Sequence, residues 1–172
     1  GLKESPGPSV WLDIDSSNLL AGGAGTGFCG EDAGGTIADA LDGNDSWEHD
    51  TVGITHWFIL DLGAIYSISK VRGRSDGTDD PTNVAIYVSI DGSTWGATVA
   101  SNITTWQDTS TWVEIDTTVK IGRYVQVSIA STEDGDDALD FGDSGTPFKI
   151  FDVLGKSASA NLSIDSISDA VG

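Results

Sequence analysis

The chain holds 172 residues, 38% of them hydrophobic, with 27 acidic side chains against 8 basic ones and a formal net charge of −19. That length suits one domain with short extensions and is enough to bury a real core. The charge excludes the Lys/Arg surface that nucleic acids require, and it disfavours an anionic lipid surface for the same reason.

Residues 1–9, GLKESPGPS, read as a linker, and Val10 to Ile14 as a first strand. Residues 21–35, AGGAGTGFCGEDAGG, are expected as a glycine-rich loop tucked against the body through Phe28 and Cys29. Thr36 to Leu41 predict a short helical turn before an Asp42-Gly43-Asn44 turn. Trp57 to Leu62 alternate with apolar groups on both sides, as in a strand covered on both faces. Val84, Ile86, Val88 and Ile90 share one face of the next strand, and Asp91-Gly92 signals a hairpin turn. Trp112–Thr117 points Val113 and Ile115 one way, and Arg123–Ile129 does the same with Val125, Val127 and Ile129. The acid-rich stretch Glu133 to Asp143 is expected as a solvated loop, and Phe148–Val153 as the closing strand. Short alternating strands, frequent turn signals and no convincing long helix argue for an antiparallel β-sandwich over 10–155. Residues 156–172 read as a linker, the start of a next module, or a strand lent to a neighbour.

The lone cysteine, Cys29, permits no internal disulfide and is expected as a small buried residue. No run approaches the ~20 apolar residues of a membrane span. The chain does not begin with Met and reads as a processed or excised piece. His49 and His56 carry no cysteine or serine elbow beside them, and neither G-x-S-x-G nor H-E-x-x-H occurs. Carboxylate pairs arise by chance in so acidic a chain, so the reading is non-catalytic.

One stretch carries a family signature. Ala40, Asp42, Gly43, Asn44, Ser46 and Trp47, followed by Trp57 and Asp61-Leu62-Gly63, resemble the discoidin domains, or coagulation factor V/VIII C-type domains. The pieces ISKVR (68–72), VAIYVSIDGSTW (84–95), GRYVQV (122–127) and FKIFDV (148–153) follow in the family's order. The resemblance implies a galactose-binding-like jelly roll akin to family 32 carbohydrate-binding modules. It implies glycan recognition or adhesion by an extracellular or surface protein, and the missing disulfide leans toward microbial members. The alternative is a structural domain that assembles with copies of itself or other structural proteins, as in a virion, tail fibre, surface layer or filament.

The resemblance also implies site residues. Calcium in this family takes oxygens at the positions of Asp39, Asp42, Asn44, Ser46 and Phe148, with backbone carbonyls from Asp39 and Phe148. The family's glutamate falls on Lys149, whose ammonium is expected to repel the ion or replace it by pairing with Asp42. The ligand loops map to Glu48, His49, Arg74, Asp79, Asn83 and Phe141. Arg72 and Arg74 are alternatively expected to pair with Asp76 or Asp79 on the surface. Trp57, Trp95 and Trp112 are expected in the core or against the sheet, and Trp106 as an exposed second aromatic candidate. Acidic, glycine-rich loops make membrane binding through apolar spikes an unfavoured reading.

Overall fold

The computed structural model describes residues 10–133, 135, 138–142 and 146–152. The terminal linkers expected at 1–9 and 156–172 lie outside them. The strands are β1 (Val10–Trp11), β2 (Trp47–His49), β3 (His56–Ser75), β4 (Pro81–Ser89), β5 (Ala100–Ile103), β6 (Thr109–Thr132), β7 (Leu139–Phe141) and β8 (Phe148–Asp152). An α-helix, α1 (Ile37–Asp42), stands where the short helical turn was expected. Thr36 caps it by accepting from Asp39 N, and Gly43 ends it at φ 75°, a left-handed conformation that favours glycine. The sandwich expectation holds: a six-stranded antiparallel sheet, in the order β1-β8-β3-β6-β4-β5, is faced by a two-stranded layer, β2-β7.

β3 and β6 dominate the larger sheet. The strands expected at 57–62 and 68–72 are one strand, and those at 112–117 and 123–129 are another. The two pair on both sides of the Asp61-Leu62-Gly63 signal, which therefore marks a bend, not a strand end. Register shifts between Asp61 and Tyr66 accommodate it, and Gly63 sits at φ 76°. Arg123 crosses the bend and grips Asp61 with two hydrogen bonds, Nε to Oδ1 at 2.6 Å and Nη2 to Oδ2 at 2.7 Å. That pairing lowers the Asp61 pKa, first through the arginine hydrogen bond.

The interior is organised by aromatic rings. Trp47 meets Phe58 edge-on at 5.6 Å, and Phe58 meets Phe148 at 6.2 Å. Phe148 reaches Trp106 at 5.8 Å, which stacks on Phe141 at 6.4 Å. All five are fully buried. Trp106 is therefore a core residue, not an exposed platform. Its indole N–H donates to Val113 O at 3.0 Å, which satisfies its one polar atom in the interior. Gly73 makes room for it: a Cβ there would lie 2.2 Å from Trp106 Cδ2.

Three further expectations change. Strand β1 stops at Trp11, although Ile14 is still buried. Ile90 does not join Val84, Ile86 and Val88 but is 60% exposed. Strand β4 ends at Ser89, whose hydroxyl accepts from Gly92 N and donates to Thr94 O at 2.7 Å, folding the chain back early. Asp91 Oδ1 accepts from Ser93 N and Thr94 N, which holds its pKa far below the usual carboxylate range. Within the acid-rich stretch, Leu139–Phe141 forms β7 and buries Leu139 and Phe141, because alternation sends both toward the aromatic core.

Gly73→Ala is expected to lower stability by about 2–3 kcal/mol, since the rigid indole and the β3 backbone must move apart; urea unfolding measures it. The Asp61–Arg123 pair, with side chains 25% and 41% exposed, is screened by solvent and contributes little to stability. Because Asp61 has its pKa lowered on folding, that contribution is complete above about pH 4 and is lost as pH falls through the folded value. Asp61→Asn should flatten the acid limb of a melting-temperature profile below pH 4.

Candidate functional site

The short β2-β7 layer sets the chemistry at one pole. Its register pairs Trp47 with Phe141, Glu48 with Asp140 and His49 with Leu139. Alternation turns Trp47, His49, Leu139 and Phe141 inward, where all are buried, and leaves Glu48 and Asp140 opposite each other on the outer side. Like charges in cross-strand register are unfavourable. Burial raises the Glu48 pKa first, and the charges of Asp140, Asp45, Asp50 and Asp32 raise it further. Among the described residues Glu48 forms no ion pair.

The glycine-rich segment packs directly beneath this carboxylate. Glu48 N donates to Gly35 O and Asp32 N donates to Glu48 O, each at 2.9 Å. A Cβ at Gly35 would lie 2.8 Å from Glu48 Cγ. Asp50 N donates to Asp32 Oδ2 at 2.6 Å, and Asp140 N donates to Asp79 O at 3.0 Å. The pole thus gathers Glu48, Asp140 and the Asp79 backbone, with Asp32, Asp45 and Asp50 around them.

The remaining ligand expectations separate. His49 is 8% exposed and turns inward, toward Cys29 and His56, with its ring against Gly30. Phe141 presents no face to solvent. Asn83 stands on β4 in register with Ser131. Arg74 lies on the outer face of the large sheet, and the expected pairing with Asp76 or Asp79 gives way to other partners. Its guanidinium sits 4.2 Å from the Trp112 centroid, while Nε donates to Thr146 O and Nη1 to Ser110 O, both at 3.3 Å. Arg72 lies between the rings of Trp11, at 4.2 Å, and Trp112, at 4.6 Å, and its desolvation lowers its pKa. Of the two expected places, core or against the sheet, Trp112 takes the second, as a half-buried ring packed with two arginines. Trp95 is half-buried too, lining an open groove with Ile90, Lys120 and Ile121.

Around the expected cation turn, oxygens of Asp39 and Asp42 accept hydrogen bonds from the protein. Asp39 O accepts from Asn44 N at 2.9 Å, and Asp39 Oδ2 accepts from Thr36 Oγ1 at 2.7 Å. Asp42 Oδ1 accepts from Ser16 N at 2.8 Å. Ser46 is buried, its N–H donating to Asp45 Oδ1, and the Phe148 ring is in the core. Lys149 does not turn toward Asp42 as expected. Strand alternation sends it to the face opposite Phe148 and Ile150, in register with Arg72. No carboxylate stands at the family's glutamate position, so the residues present fit a hard cation poorly.

A third grouping was invisible in the linear reading. Cys29, expected as a small buried residue, is half-buried, and its sulfur lies within reach of both histidines. Burial raises its pKa. Only the count of one cysteine and two histidines hinted at it; nothing in their sequence spacing did.

Six antiparallel strands facing a two-stranded layer, with polar side chains converging on loops at one pole, define a small β-sandwich of the galactose-binding-like type. The chain belongs to the F5/8 type C domain family, whose model matches residues 14–140. No curated protein matches the sequence. Among solved structures it is similar to CpGH89CBM32-5 from Clostridium perfringens, crystallised with GalNAc-β-1,3-galactose. That match has 18% identity and a TM-score of 0.57, covering 72% of this chain and 91% of the other. It is similar to chitosan-binding module 1 of a chitosanase/glucanase from Paenibacillus sp. IK-5, at 20% identity and TM-score 0.55, covering 78% and 97%. It is also similar to CBM32-3 of a family 31 glycoside hydrolase from Clostridium perfringens, at 16% identity and TM-score 0.57, covering 83% and 94%. At these identities the likeness concerns the fold.

Proposed function

We propose that this domain is a non-catalytic carbohydrate-binding module, part of an extracellular or surface protein, and that its glycan docks at the Glu48–Asp140 pole. The observation that carries this reading is the pair of carboxylates held opposite each other amid further acids. Ionised carboxylates act as hydrogen-bond acceptors only. A polyhydroxylated sugar supplies donors without adding negative charge, and an amino sugar adds a compensating positive one. The net charge of −19 favours the same ligands and opposes uronic or sulfated glycans. Relatives of this fold that are described with GalNAc-β-1,3-galactose or as chitosan-binding support the reading.

Calorimetric titration with chitosan oligosaccharides and with neutral galactosides tests it. Binding of at least one class is expected, with affinity falling at least tenfold in Glu48→Gln. A broad glycan panel with no binder would sink the proposal. Because the Glu48 pKa is raised on folding, its ionised form is a liability as pH rises. Glu48→Gln should therefore melt at or slightly above the wild-type temperature at pH 7, so lost binding cannot be ascribed to unfolding.

We further propose that calcium is dispensable at the Asp42–Asn44 turn, where Asp42 Oδ1 accepts from Ser16 N and Asp39 O from Asn44 N. Adding calcium to chelated protein is expected to move the melting temperature by less than about 1 °C. A rise of several degrees would restore a cation role for these residues.

A further inference from the structure

We infer that Cys29, His49 and His56 form a three-ligand site for a borderline transition-metal cation of the zinc–copper class. The chain contains one cysteine and two histidines, and all three converge from separate segments: the glycine-rich loop, β2 and the start of β3.

The donor atoms form a small triangle. His49 Nδ1 and His56 Nδ1 are 3.1 Å apart, Cys29 Sγ is 3.3 Å from His49 Nδ1, and Sγ is 3.9 Å from His56 Nδ1. Bonds of ~2.0 Å to nitrogen and ~2.3 Å to sulfur at tetrahedral angles place such donors ~3.3–3.6 Å apart. The circle through the three atoms has a radius of about 2.0 Å, so one ion reaches all three without rearrangement.

An imidazole nitrogen offers either one lone pair or one hydrogen, never both. With no metal bound, one ring's Nδ1–H donating to the other ring's Nδ1 accounts for the 3.1 Å edge. A cation at the centre would instead engage both nitrogens and the sulfur together.

The surroundings hold the ligands in place. Cys29 N donates to Trp57 O at 2.9 Å, and Trp57 N donates back to Cys29 Sγ at 3.4 Å, an N–H···S contact of the kind that supports a metal thiolate. Trp47 Nε1 donates to Gly30 O at 2.9 Å and pins the residue after the cysteine. Gly30 admits the His49 ring, since a Cβ there would lie 2.5 Å from Nε2. His56 is fully buried and His49 nearly so, whereas half-buried Cys29 leaves one side on which water completes the coordination.

One thiolate and two imidazoles suit zinc and copper, and they do not suit calcium or magnesium, which take oxygen. The chain has no methionine, so a thioether axial ligand from this chain is excluded. The site lies behind Glu48 on the inward side of β2, and it stands whether or not a glycan binds the outer side.

The test is a metal titration of chelated, reduced protein. Cobalt is expected to bind at one equivalent, with a thiolate-to-cobalt charge-transfer band that zinc abolishes. Copper(II) should give an intense visible thiolate-to-copper band if the site favours copper. Competition between zinc and copper, read with metal analysis of the purified protein, assigns the resident ion. Zinc should raise the wild-type melting temperature by several degrees. In Cys29→Ser the charge-transfer bands should vanish and most of the zinc shift should go, while the metal-free variant melts within a few degrees of the metal-free wild type. Absence of a thiolate band in the wild type, or a zinc shift undiminished in Cys29→Ser, overturns the inference.

Discussion

Much of this domain depends on how one edge of β3 satisfies its backbone. Strand β8 pairs with β3 only from Ile68 to Gly73, while β6 covers the opposite edge along almost the whole strand. The first half of β3, around Trp57 to Ile59, would otherwise leave peptide groups unpaired beside the core. The glycine-rich segment fills that place. Leu20 N donates to Ile59 O, Ile59 N to Gly27 O, and Cys29 N to Trp57 O. Phe28 then bridges to Phe58 and is buried. An apparently featureless run of glycines thereby does the work of a strand.

Two consequences meet on either side of β2. Seated on β3, the segment delivers Cys29 beside His56, and its continuation through Asp32 and Gly35 hydrogen-bonds to β2. The inward side of β2 then sees a cysteine and a histidine, while its outward side carries Glu48 against Asp140. Close approach is the shared requirement. Side chains at Gly30 or Gly35 would strike His49 or Glu48, respectively.

The opposite face of the large sheet follows a different logic. In a chain with three arginines, two are stacked on Trp112. Their guanidinium groups are engaged by aromatic faces, and that of Arg74 by backbone carbonyls as well. Strand register also places Lys149 beside Arg72 and not in the role of a counter-ion for Asp42.

Sequence alone determined the β-sandwich class and the helix before the Asp-Gly-Asn turn, because these rest on local alternation and turn chemistry in unbroken stretches, and its ordered short motifs carried the resemblance to the family. It did not separate bends from strand ends: Asp61-Leu62-Gly63 looks the same in both, and only the continuous partner β6 decides. Nor did it sort the tryptophans. Trp106 sits in a polar stretch yet is buried, because Gly73 opens a space across the core; Trp112, on the face opposite Val113 and Ile115, lies under two arginines. The Cys29–His49–His56 triangle was the least legible, since its members are 20 and 27 residues from the cysteine along the chain and share no motif. Tertiary structure alone decided these points, because which side chains meet depends on pairing between distant strands, and local sequence does not encode that distance.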